Sequence, residues 1–411
     1  MIRWLQRKQA SGNGRGSADF DWSAYLERYP DLAAAGIDDE TKAGEHWRTY
    51  GRAEGRWGAP PSYPTRSTLA CPSIHSIYVR WTGDIVCWDD AGNETLLQRY
   101  DPAADYGRDV YLGAPFNRVR LSLSNGEMPF PEVCAKCLVL RTNTAHSSFH
   151  LDRRVVEVFQ VEPSFKCTLD CPGCVRLDQR RLAPPSNLPL ERFEKIANDL
   201  KKASIEVRAF DFQGHGEPIL HPQLPAMIEA ARALYPRSYL TMTTNANAKV
   251  KESLLRSGID EIVCSIDGVD AASYEPYRIF GDFALALRFM TDAARSGAVR
   301  VIWKYILFEH NSEERHLLEA QRIADSIGVD ELVFVFTRNG PRSTRVTTPA
   351  QIPRLPGRRV PLSYRYHQPD LADLETRRRE AEALAATGET RKAEDLLRSV
   401  RRQEERFRLG E

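Results

Sequence analysis

The chain lacks any apolar run approaching the ~18 residues of a membrane helix, so no segment reads as a span. It also lacks an excess of one charge: 57 Lys and Arg stand against 56 Asp and Glu, a net +1 at pH 7. A protein that grips a phosphate backbone concentrates basic side chains, so nothing argues electrostatically for nucleic acid. The opening MIRWLQRKQASGNGRGS is basic but has no apolar centre of the kind a secretory signal needs. Residues 1–18 are therefore expected to be a disordered tail, and the protein cytoplasmic. Cysteine is absent after Cys264 and crowded before it. A secreted disulfide scaffold is shorter and spreads its bridges, so that class is excluded.

The cysteines present fall into two sets. Cys167, Cys171 and Cys174 lie within FKCTLDCPGCVR, spaced C-x3-C-x2-C. Cys71, Cys87, Cys134 and Cys137 form a looser group upstream, and Cys264 sits alone in an apolar strand, where a packed core thiol is expected. Clustered thiols in a reducing compartment are more often metal ligands than bridges.

Periodicity divides the rest of the chain. Residues 19–58 predict a small helical module, capped by Asp21, with an aromatic core drawn from Trp22, Tyr25, Leu26, Tyr29, Leu32, His46, Trp47 and Tyr50. Its YPDL…HW..YG..EGR pattern resembles a module found in bacterial proteins beside sugar-processing domains. Residues 59–148 predict a cysteine-rich short-strand domain, in which SIYVRWTGDIVCW gives two short strands around the turn Thr82-Gly83-Asp84 and NETLLQRYD, DVYLG and FNRVRLSLSNG are further short segments. Its apolar mass is small, so a metal is expected to help hold it.

From 149 to 340 strand and helix alternate. RRVVEVFQVEPS runs into the cysteine loop, and the strands EVRAFDFQG, SYLTMTTN, DEIVCSIDG, VRVIWKYILF and DELVFVF follow, separated by amphipathic helices such as LERFEKIANDLKKAS. Such alternation predicts an α/β fold with a parallel sheet. Six units are too few to close an eight-fold barrel, so an open, partial (βα)6 barrel is expected. Residues 341–411 predict an extended linker and a C-terminal helical hairpin broken at Gly388.

Thiolates are soft ligands suited to zinc, copper(I) or iron–sulfur clusters. Structural zinc takes four ligands, usually as paired knuckles. Three thiolates from one loop can instead cap three corners of a 4Fe–4S cube and leave one iron open. The segments that follow point the same way. Gln213 to Pro218 (QGHGEP), Thr243 to Asn247 (TTNAN) and Cys264 to Gly268 (CSIDG) each end a predicted strand. In this order and spacing, residues 150–340 resemble the radical S-adenosylmethionine (radical SAM) superfamily.

The resemblance implies that Cys167, Cys171 and Cys174 hold a catalytic 4Fe–4S cluster whose open iron is chelated by SAM. One electron then cleaves SAM, and the resulting radical takes a hydrogen atom from substrate. It implies that Gly214, Gly216, Glu217, Asn245, Ser265 and Asp267 shape the SAM site, with Lys304, Tyr305 and Asn311 as weaker candidates. Gly173 replaces the aromatic residue that members of the superfamily often place before the third cysteine, which leaves Phe165 or Val175 to meet adenine. CPSI, GDIVC, LGAPF and FPEVCAKC resemble the pieces of a SPASM or twitch domain, here placed before the barrel; by that resemblance Cys71, Cys87, Cys134 and Cys137 hold an auxiliary iron–sulfur cluster. The implied partners are a sugar, nucleotide-sugar or peptide substrate and a reducing donor such as a flavodoxin or ferredoxin, with no nucleic acid. The auxiliary cluster implies net oxidation. Two alternatives remain open at this point: a zinc-stabilised, catalytically inactive binding protein, and a radical group-transfer enzyme.

Overall fold

The computed structural model describes residues 20, 22–51, 54, 56, 69–71, 75–87, 95–124, 127–134, 141–142, 154–174, 186–337 and 342–366, and the single positions 381, 385 and 397. The chain forms two units, residues 1–65 with 148–151 and residues 66–147 with 152–411. Among the described residues no helix is long and apolar enough to cross a membrane.

In the first unit, α1 (Trp22–Arg28), α2 (Pro30–Ala34) and α3 (Glu40–His46) lead into a π-helical turn at Trp47–Gly51. Asp39 caps α3 by accepting the Lys42 N–H at 2.8 Å. Tyr25, Leu32, Ala43 and Trp47 bury together against Phe20, Leu26, Tyr29 and Ile37. Trp22 and Tyr50, expected in this core, are instead 37% and 58% exposed. Tyr50 keeps only a tilted contact with the His46 ring, at 5.7 Å between centroids, outside the buried cluster.

The second unit is built on one ten-stranded sheet, ordered β12-β11-β10-β9-β8-β7-β6-β2-β3-β4. Its strands are β2 (Ser76–Val79), β3 (Ile85–Val86), β4 (Leu96–Gln98), β6 (Val155–Val161), β7 (Glu206–Phe212), β8 (Tyr239–Thr244), β9 (Glu261–Ser265), β10 (Arg300–Leu307), β11 (Glu331–Phe336) and β12 (Leu362–Tyr366). A separate pair, β1 (Leu69–Ala70) and β5 (Arg141–Thr142), is antiparallel. Strands β6 to β12 pair parallel in chain order. The sheet stays open, with β12 and β4 at its edges.

The crossover helices are α6 (Leu190–Lys202), α7 (Leu224–Leu234), α8 (Glu252–Leu255), α9 (Ala271–Tyr274), α10 (Phe283–Ser296) and α11 (Glu314–Ile327); two more, α4 (Ala114–Ser124) and α5 (Pro131–Cys134), precede β6. Strands β9 to β11 are buried almost throughout, as parallel strands covered on both sides are, whereas β7 and β8 alternate, with Arg208 and Asp211 and with Thr241 and Thr243 off the core face. On one face Phe210, Leu240, Ile262, Trp303 and Phe334 pack with the helix residues Phe193, Ile196, Met227, Phe289 and Leu317. The alternate residues Val263, Ile302, Ile306, Val333 and Val335 face the other way and gather with Leu169, Cys171, Tyr277 and Phe308. That second cluster seats the cysteine loop over this face of the sheet, its inner face.

Three expectations are revised. The short strands expected in a separate 59–148 domain join the main sheet, where β2 pairs parallel with β6. Ile77, Val79 and Ile85 accordingly bury in the common core, so this region has more apolar support than its own composition supplies. Of the further short segments in this short-strand region, FNRVRLSLS is helix α4, because Phe116, Val119, Arg120 and Leu123 bury at helical spacing, and DVYLG lies in and after a π-helical turn, Tyr106–Tyr111. Beyond β11 a further strand, β12, pairs parallel with it. The expected C-terminal hairpin falls outside the described residues apart from positions 381, 385 and 397.

Candidate active site

The site forms where β6 to β10 end. After β6, Glu162 turns inward, fully buried, to an ion pair with Arg80 at 2.8 Å. Arg80 lies over the Trp81 ring, which stacks on Phe165 at 4.0 Å between centroids. Phe165 is thus fully buried against protein, and its ring has no open face on which adenine could rest. Val175, the other residue considered for adenine, lies outside the described residues.

The loop carrying Cys167, Cys171 and Cys174 closes on itself through the Cys174 N–H to the Cys171 carbonyl at 3.0 Å. It is tied across the mouth by the Asp170 N–H to the Ile279 carbonyl at 3.1 Å. Its sulfurs face donors. Asn245 Nδ2 donates to Cys167 Sγ at 3.5 Å, the Leu169 N–H to the same sulfur at 3.4 Å, and Arg278 Nη1 to Cys171 Sγ at 3.8 Å. Burial pushes the Cys171 thiol up, and the Arg278 guanidinium opposes that shift.

The glycines of QGHGEP are required by neighbouring protein. A Cβ on Gly216 would lie 1.9 Å from the Ser164 carbonyl oxygen, and one on Gly214 would lie 2.4 Å from Glu162 Cγ. The segment therefore packs flat on the start of the cysteine loop, held by the Glu217 N–H to the Lys166 carbonyl at 2.7 Å. The Glu217 carboxylate turns to β8: it accepts from Thr244 Oγ1 and from the Asn245 N–H, each at 2.7 Å, and from the Ile219 N–H at 3.2 Å. Burial raises its pKa, and these donors oppose the rise. Glu217 thus positions Asn245, which reaches the Cys167 sulfur.

At the end of β9, Asp267 is fully buried and takes Arg278 Nε at 2.7 Å and Nη2 at 2.6 Å. Its other oxygen accepts the Ile306 N–H at 2.7 Å, and its carbonyl accepts Asn311 Nδ2 at 2.9 Å. Asn311 also receives the Phe308 N–H, and its carbonyl accepts the Tyr305 hydroxyl. Tyr305 and Asn311 therefore hold the mouth together. Ser265, 4% exposed, has a buried hydroxyl oxygen without a hydrogen-bond partner among the described residues. Lys304 pairs in register with Ser265 on the same inner face. His221 bonds the Leu188 carbonyl and caps Gln223, a structural role, and Cys264 is buried in the core.

Arg278, Asp211 and Glu162 were not singled out from sequence. A lone charge inside an apolar strand marks Asp211 in AFDF and Lys304 in IWKYI; Arg278 had no comparable local signal. Burial carries the Asp211 pKa up to about 7 and the Lys304 pKa down to about 8.

Among the described residues no three Cys, His, Asp or Glu side chains form a ready-made single-ion site, for either cysteine set. Cys71, Cys87 and Cys134 lie among the described residues, where the Thr95 N–H donates to Cys87 Sγ at 2.9 Å, and Cys137 lies outside them. The three loop thiols share one apolar seat on the inner face, with amide donors on the Cys167 sulfur and a cationic donor on that of Cys171. That donor set fits a sulfur-bound anionic cluster.

No known family profile matches the chain. A GTP 3′,8-cyclase of Mycolicibacterium smegmatis is 32% identical over 127 residues, 29% of this chain and 34% of that protein. A GTP 3′,8-cyclase of Chlorobaculum tepidum is 28% identical over 123 residues, 29% of this chain and 36% of that protein. The mycofactocin maturase MftC of Mycobacterium ulcerans is 24% identical over 151 residues, 36% of this chain and 40% of that protein. The matches thus span about a third of the length of these curated relatives.

Proposed function

The chain belongs to the radical SAM superfamily, and on that premise we propose that it is an enzyme that cleaves SAM reductively and abstracts a hydrogen atom from a sugar, nucleotide-sugar or peptide, with net oxidation. The observation that supports this most is the cysteine loop itself: three thiols on one turn, seated over the inner face of the sheet, with Asn245 and Arg278 on their sulfurs. Cys167, Cys171 and Cys174 would hold a 4Fe–4S cluster. Bound there with SAM, it supplies the one-electron reduction and the hydrogen-abstracting radical.

The chain's own residues do the positioning. Gly214 and Gly216 let the β7 loop lie against the cysteine loop, and Glu217 sets the angle of Asn245. Ser265 offers a buried hydroxyl to a bound cofactor or substrate, and Asp267 fixes Arg278. Cys71, Cys87, Cys134 and Cys137 would hold an auxiliary cluster that accepts an electron from oxidised substrate, and a flavodoxin- or ferredoxin-type donor would reduce the catalytic one.

Anaerobic reconstitution tests this reading. The protein should carry about eight irons and eight sulfides if both sets bind 4Fe–4S clusters. Dithionite with SAM should yield 5′-deoxyadenosine, and alanine at the three loop cysteines should remove about half the iron and all cleavage. Two zincs without labile sulfide would overturn the reading. Isotope from SAM appearing in product would replace oxidation with group transfer.

A further inference from the structure

We propose that Arg278 is a positioning residue that sets the reduction potential of the cysteine-bound cluster, by holding its guanidinium against the Cys171 sulfur. The inference rests on the reading that the loop binds a 4Fe–4S cluster.

Arg278 follows α9 by four residues and is buried, its side chain 11% exposed beside an Asp267 side chain that is 0% exposed. Two of its nitrogens are committed to one oxygen of Asp267, at 2.7 and 2.6 Å. The third, Nη1, points to Cys171 Sγ at 3.8 Å. Asp267 cannot swing away, since its second oxygen holds the Ile306 N–H and its carbonyl holds Asn311. The next residue, Ile279, accepts the Asp170 N–H, so the same turn grips the cysteine loop by backbone and by side chain.

A desolvated ion pair gains little net stability from its own attraction, because removing both charges from water offsets it. What this pair does provide is direction: the carboxylate anchors one edge of the guanidinium and turns the other toward sulfur. Only a planar, multi-donor cation can serve both partners at once, which a lysine ammonium on a flexible stem does poorly. Donors on ligand sulfurs stabilise the more negative, reduced form of a cluster and so raise its potential. A merely structural Arg278 would brace Asp267 without altering that balance.

The experiment uses the full chain, anaerobically reconstituted, as wild type, Arg278→Met and Arg278→Lys. Iron and sulfide are counted, the reduced-cluster signal that responds to SAM is recorded by electron paramagnetic resonance, and its midpoint is found by redox titration. SAM affinity is measured separately. In R278M the iron should stay bound while the reduction equilibrium moves at least ~tenfold toward the oxidised form, ~59 mV for one electron. R278K should recover part of that shift. An iron-loaded R278M with the wild-type midpoint overturns the proposal. So does a loss of SAM affinity at unchanged midpoint, which would make Arg278 a SAM contact. Should R278M not fold, a wild-type midpoint in R278K overturns it equally. A wild-type protein without labile sulfide or cluster signal would instead sink the underlying reading.

Discussion

Asp211 shows how one residue carries information that its neighbours do not. It stands in β7 between Phe210 and Phe212, both buried among the helices, and faces the opposite way, where Lys304, Glu261 and Arg365 exert their fields. Desolvation raises its pKa from 3.8 to about 7, so the folded protein holds a proton that the unfolded chain releases. The linkage then runs one way: its contribution to stability is fully present below about pH 3.8 and is lost as pH rises through about 7. Asp211→Asn should flatten the stability profile across that window, read by urea unfolding at half-unit pH steps; an unchanged slope would mean that Asp211 is well solvated. Lys304 works in the opposite sense. Its pKa falls from 10.5 to about 8, so stability withheld near pH 8 returns toward pH 10.5.

At the scale of the element, the loops after the strands are shaped by close approach. Gly216 meets backbone, the Ser164 carbonyl, which cannot rotate aside as a flexible side chain would. Gly216→Ala should therefore cost about 1–3 kcal/mol or more and loosen the cysteine loop, seen as a lower thermal midpoint and less bound iron after reconstitution. The turn after Arg278 stores strain instead. Phe280 has φ +67° and is 77% exposed, a conformation that penalises a Cβ without compensation from burial. Phe280→Gly should raise stability by about 0.5–1 kcal/mol, the relief of strain less the extra entropy of glycine in the unfolded chain. If it also slows turnover, the strained ring serves the mouth of the site. The helix α4 is legible in the sequence, because its buried residues recur every three or four positions even though short strands flank it.

For the second unit as a whole, the decisive feature is that the short strands β2 to β4 extend the main sheet. Their core is the core of the parallel sheet, so the cysteines upstream need not hold that region together. Removing metal with a chelator under reducing conditions should leave far-UV circular dichroism and a cooperative thermal transition in place. Collapse of both on chelation would restore the expectation of a metal-dependent domain. The Trp81–Phe165 stack and the Arg80–Glu162 pair join these strands to the cysteine loop, so a change in the β2–β4 region is transmitted to that loop through packing.

The sequence by itself determined the parallel α/β order, the cysteine loop after the first of the seven consecutive parallel strands and the polar strand ends around it. Those follow from local periodicity and from the softness of thiolate ligands, both of which are written within a few residues. Only the tertiary structure decided that Glu217 braces Asn245, that Phe165 is taken by Trp81, and that Arg278 reaches Cys171 across 107 positions of chain. A side chain's partner depends on which strands the sheet brings together and at what register, and that is settled by burial of the whole core rather than by any local pattern.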